Sequence, residues 1–194
     1  MDDGIRQRLL AMAADDRRVL AELTGTGEIY RGYAPQMEEV HRRNARELLA
    51  IVREHGWPGR DVAGEDGMHA AWLVLQHAIG EPDVQRGCLP LLLDAARRGE
   101  AMPAQVAYLE DRIAFFERRP QRFGTQFDWD EQGMMSPWTI EDPEGVDERR
   151  AMVGLPPLAE RIAQARQQAR GAVPPDYHRR QSEMLAWSKS VGWV

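Results

Sequence analysis

Cysteine is almost missing from this chain. Cys88 is the only one in 194 residues, so no internal disulfide and no cysteine-based zinc site can form. Inside an apolar run, such a lone thiol reads as a small buried hydrophobe. Lysine is equally scarce, with Lys189 standing alone among the basic residues. An excess of positive charge is missing too. The net charge of −6 and a pI near 5.4 argue against nucleic acid, whose binders present basic faces. Long apolar runs are absent. The longest, at residues 70–75, falls far short of the roughly 20 residues that cross a bilayer, so no membrane partner is expected. The first residues lack a basic stretch followed by an apolar core, and the expectation is a cytoplasmic protein without a signal peptide. No glycine-rich phosphate loop follows a strand and no Gly-x-Ser-x-Gly elbow occurs, so neither a nucleotide cofactor nor a serine nucleophile is indicated.

What is present is helical periodicity, interrupted once. Residues 5–23 space Ile5, Leu9, Met12, Val19, Leu20 and Leu23 as one apolar face, with the Asp15–Arg18 run on the other side. Residues 35–55 form a second helix with Pro35 near its start and Gly56 as its stop. His41 and Asn44 fall on its apolar stripe. A central helix follows over 64–80, a fourth opens at Pro82 and ends at Gly99, and a fifth runs from Pro103 to about Arg118. After Pro120 a hairpin is predicted over about 121–140, with turn residues at 130–133. Helices at 143–152, 158–170 and 177–191 complete the reading. The fold class expected is mainly α, a single helical domain over 1–170 with a small β-hairpin insert. Residues 171–194 read as a linker and a C-terminal helix that packs on the domain or on a partner, including a second copy in a homodimer.

The central helix is apolar almost all the way round, except for an arc holding Asp66, His69, Gln76 and His77. Solvated faces are built from Lys, Glu and Arg, whereas this arc offers imidazoles, an amide and a carboxylate. The fifth helix is apolar on two sides, which places Asp111 inside or at a cleft edge, with Tyr108 beside it and Arg112 flanking.

Taken in order, Gly56-Trp57-Pro58, Gln76-His77, Asp111-Arg112, Gly124-Thr125-Gln126, Arg149-Arg150 and Gly154-Leu155 resemble an uncharacterised family of bacterial domains of unknown function. The resemblance covers roughly residues 40–162 and implies no reaction. It does imply a departure. The family pattern places acids where this chain has His41 and Ile79, and a small residue where it has His69.

The expected chemistry groups His77, Asp111, Arg112 and Gln126 as catalytic. Asp111 would fix the tautomer of His77, Arg112 or Arg150 would hold a carboxylate or phosphate, and Gln126 with Gln76 would orient an amide or steady a developing oxyanion. Asn44, Asp66, His69, Trp72, Gln76, Tyr108, Thr125 and Arg150 would line the ligand. The function expected is a cytoplasmic, hydrolase-like enzyme working by metal-independent acid–base chemistry, with no cofactor, on a small anionic or amide-bearing molecule. Two alternatives stay open: a protein that sequesters a small molecule, and a helical-bundle metal enzyme. The second is suggested by the acid–His spacings of Glu38 with His41 and Asp66 with His69. The same polar groups could also be a buried network that fixes helix packing.

Overall fold

The structure is a computed structural model that describes residues 1–26 and 33–194. Its elements are α1 (Asp3–Thr26), α2 (Pro35–His55), α3 (Arg60–His77), α4 (Pro82–Arg97) and α5 (Pro103–Phe116). Strands β1 (Phe127–Trp129) and β2 (Met135–Pro137) follow, then α6 (Val146–Met152), α7 (Leu158–Gln168) and α8 (Tyr177–Val191). The protein is mainly α with one small antiparallel hairpin, as its periodicity predicts. The chain divides into two compact units, 1–102 and 103–194. The boundary falls at the connection between α4 and α5, where the sequence reading ends one helix at Gly99 and opens the next at Pro103.

In the first unit α1 packs against both α2 and α3, and α4 against α3. The buried face of α1 carries Ile5, Leu9, Met12, Asp16, Val19 and Leu23, at alternating steps of four and three. This corrects the sequence reading at two positions. Asp16 lies on the buried face although its neighbours Asp15, Arg17 and Arg18 suggest solvent, and Leu20 is 38% exposed. The charged neighbours fall outside the stripe because successive residues turn by 100°. α3 does not begin at Gly64. It starts at Arg60 and is broken at Gly64, where φ is +71°. A glycine is also needed at Gly67, where a Cβ would stand 2.8 Å from that of Ala63 and 3.4 Å from Cγ of Arg6, so α1 and α3 approach closely there. At the other end of α3, Gln85 of α4 donates to the carbonyls of Leu75 (2.8 Å) and Gln76 (3.2 Å), steadying the turn that presents His77.

In the second unit the hairpin pairs Phe127 with Pro137, Asp128 with Ser136 and Trp129 with Met135. The Asp130 carboxylate accepts from the amides of Gln132 and Met134 and closes the turn. The segment after Pro120 is stapled by the buried Gln121 side chain. Its Nε2 donates to the carbonyls of Gln126 (3.0 Å) and Trp138 (2.9 Å), and its Oε1 accepts from the Gln126 amide (2.9 Å). α8 packs back on its own unit, with Trp187 and Trp193 against the ring of Phe116 and Arg180 paired with Asp128 at 2.6 Å.

Candidate functional site

One residue from each of three helices builds the site of the first unit. Asp16 comes from the buried stripe of α1, His41 from that of α2, and His77 ends α3. The Asp16 carboxylate is 1% exposed and sits against both rings. Nδ1 of His77 donates to Oδ2 of Asp16 at 2.8 Å. Nε2 of His41 lies 3.2 Å from the same oxygen, yet is not hydrogen-bonded to it. The two rings tilt against each other with centroids 5.1 Å apart. On the far side of His41, the Tyr33 hydroxyl is 2.7 Å from Nδ1, and its ring stacks on the imidazole.

Burial by itself would raise the Asp16 carboxyl, but the approach of His41 and His77 outweighs it and holds the group well below the usual carboxylate range. Asp16 is therefore ionised and accepts only, which fixes the His77 proton on Nδ1. In the neutral ring the lone pair is then on Nε2, and the His77 side chain is 30% exposed. The second carboxylate oxygen, Oδ1 of Asp16, is buried with no hydrogen-bond partner among the described residues. An acceptor left so carries a penalty of roughly 1–3 kcal/mol unless something else meets it. Burial pushes the Tyr33 phenol up, and the nearby Glu38 adds to this. Around Tyr33 the rim is acidic, with Arg42 paired to Glu38 and placed 3.5 Å from Glu81.

The other residues expected at the central helix disperse. Asp66 and His69 are exposed, and Asp66 is held by Arg6 through two bonds of 2.8 and 2.6 Å. Gln76 is buried and Trp72 half-buried. The Nδ2 of Asn44 donates to the carbonyl of Met12 at 3.1 Å, locking α2 to the turn of α1 that carries Asp16. Of the expected arc, only His77 joins the cluster.

In the second unit the expected residues hold backbone. Asp111 is fully buried, and its carboxylate accepts from the amides of Arg122 (2.7 Å), Phe123 (3.0 and 3.2 Å) and Thr125 (2.9 Å). Burial raises its carboxyl despite those amides. The Thr125 amide, expected to meet a ligand, is thus bound by Asp111, and Gln126 donates from Nε2 to the Thr125 hydroxyl at 3.0 Å. Arg150 is buried, and its guanidinium donates to the carbonyls of Pro156 (2.7 Å) and Phe123 (2.6 Å), while burial pushes it below its usual value. Gly124 sits between these anchors with φ +65°. Arg112 is pushed down to about 10 by burial, opposed by Tyr108, which is itself half-buried. The carboxylate on the His77 ring is therefore Asp16, and Asp111 organises the turn at 122–125.

Sequence reasoning missed Asp16 as a site residue and named His41 as a polar intruder on a stripe and as half of a Glu38–His41 metal spacing, without joining it to His77. The available signal for Asp16 was its position in the four–three spacing of α1. Gln121 was also missed, and nothing in its neighbourhood marks it.

A family profile described as a family of unknown function matches residues 3–172, reaching beyond the 40–162 of the motif resemblance to include α1 and Asp16. No curated protein and no solved structure matches the chain.

Proposed function

Since the chain belongs to that family, DUF6624, whose description names no activity, we propose from the site alone that it is a hydrolase-like enzyme reacting at Asp16, His41 and His77. The observation that carries this reading is the His77 ring, with one nitrogen held at 2.8 Å by a buried, ionised carboxylate and its side chain reaching solvent. That arrangement sets the tautomer and leaves Nε2 to take a proton from water or substrate, with Asp16 steadying the charge that forms on the ring. His41, backed by Tyr33, closes the opposite side of the carboxylate.

Of the two substrate classes that the sequence admits, an amide-bearing molecule fits better than an anion. Glu38 and Glu81, which both act on Tyr33, already hold Arg42 beside it, and Arg150, expected to receive an anion, donates instead to main-chain carbonyls. The experiment is a screen of short amides, p-nitrophenyl acetate and p-nitrophenyl phosphate with the full chain, His77→Ala and Asp16→Asn. Turnover should favour the amides or the ester and vanish in both variants while each keeps its helical circular dichroism. Turnover unchanged by either substitution would refute the assignment. A compound recovered intact from the denatured protein, with no turnover of it, would favour sequestration instead.

A further inference from the structure

We infer that Asp16, His41 and His77 are the protein ligands of a single divalent transition ion of the zinc type. What that ion would do rests on the reaction-centre reading above; its binding does not. One ring nitrogen from each of His41 and His77 and a carboxylate oxygen of Asp16 all lie within 4.8 Å of one another, and the nitrogens that face Asp16 are Nδ1 of His77 and Nε2 of His41. Each comes from a different helix of one packed unit, so the three are brought together by the core of the bundle. Two imidazoles and one carboxylate are the donor set of zinc sites that keep a position open for water, and ions that prefer all-oxygen shells, such as magnesium and calcium, suit it poorly.

The second observation is independent of that proximity. Oδ1 of Asp16 and Nε2 of His41 are both buried, and neither has a hydrogen-bond partner among the described residues. A carboxylate oxygen without a donor stands beside a ring nitrogen that makes no hydrogen bond at 3.2 Å from its nearest oxygen. A cation among the three satisfies both at once. The third observation is the Tyr33 hydroxyl, 2.7 Å from Nδ1 of His41. Ligating imidazoles use their other N–H for such an outer contact. With Nδ1–H donated to the Tyr33 oxygen, Nε2 is left as a lone pair directed at the ion. At His77 an ion on Nδ1 would put the ring proton on Nε2, so in the loaded protein the ion, and not Nε2, would activate water.

The test uses the full chain, stripped with chelator and titrated with Co²⁺ and then with Zn²⁺. Wild type should take up one Co²⁺ per chain with the visible bands of a four- or five-coordinate ion. Zn²⁺ should erase those bands and raise the melting temperature. His41→Ala and His77→Ala should each weaken Zn²⁺ binding by roughly a hundredfold or more, and Tyr33→Phe by about tenfold, as loss of an outer-shell partner does. His69→Ala, on an exposed ring, should bind as wild type does. No Co²⁺ bands and no melting shift in wild type would overturn the site without reference to any variant. So would equal Zn²⁺ affinity in the His41→Ala/His77→Ala double variant. Turnover that survives complete removal of metal overturns the ion's role and leaves the reaction centre standing. One tightly bound ion in a chain that hydrolyses nothing upholds the metal site while the hydrolytic reading falls.

Discussion

Nδ1 of His77 and Oδ2 of Asp16 meet at 2.8 Å across 61 residues of sequence, and Nε2 of His41 comes within 3.2 Å of the same oxygen. A buried carboxylate shared by two imidazoles has consequences for stability as well as for chemistry. The anchors of the second unit have consequences for stability of a different kind.

Acid sensitivity follows from the sign of the Asp16 shift. Its carboxyl titrates lower in the folded chain than in the unfolded one, where the value is about 3.9. The stability this supplies is complete above the unfolded value and is lost as pH falls through the folded one. Melting temperatures of wild type should therefore drop more steeply below about pH 4 than those of Asp16→Asn. Parallel curves for the two proteins would show that the carboxylate is not held by its imidazoles.

Asp111 is expected to act on the fold. Asp111→Ala strips the partners from the amides of Arg122, Phe123 and Thr125 and should destabilise the chain by about 3 kcal/mol or more. Asp111→Asn keeps one accepting oxygen and should lose less. Denaturant unfolding gives the energies. Hydrogen exchange should speed up first at those three amides, and protection that survives Asp111→Ala would contradict the assignment.

Gly124 carries two constraints at once. Its φ is +65°, and a Cβ would stand 2.9 Å from Cδ1 of Leu158 and 3.0 Å from Cδ1 of Ile140. Gly124→Ala should cost about 2–4 kcal/mol, adding overpacking to backbone strain. At Gly56, with φ +76° and open space around it, alanine meets only the backbone term of about 1 kcal/mol. Equal effects at both positions, read from urea midpoints, would refute the packing argument.

His69 and Asp66 separate the arc drawn on the central helix from the cluster that forms. Both are exposed, and the ion pair of Asp66 with Arg6 lies in solvent. His69→Ala and Asp66→Ala should leave turnover at wild-type level, whereas His77→Ala should abolish it. A large loss in either of the first two would return the reaction to the outer face of α3.

Much of the architecture was legible because helices in water are marked by where apolar residues recur. Pro35, Gly56, Pro82 and Pro103 stand at helix boundaries, and the hairpin was visible from its turn residues. The dipeptide motifs were equally legible as landmarks, but their work was not. Asp111 read as the partner of His77 and Arg150 as a ligand-facing group, whereas both hold one main-chain turn. A side chain that bonds to backbone leaves no trace in sequence, since every residue offers the same amide and carbonyl.

The chain by itself determined which faces had to be buried, because spacing along a helix decides that without reference to any neighbour. Only the tertiary structure decided that Asp16 meets His41 and His77. Hydrogen bonding and metal ligation demand contact within a few ångströms, and that depends on how three helices pack. The charged residues around Asp16 point elsewhere, so nothing local distinguishes it from a solvated carboxylate until α2 and α3 are laid against it.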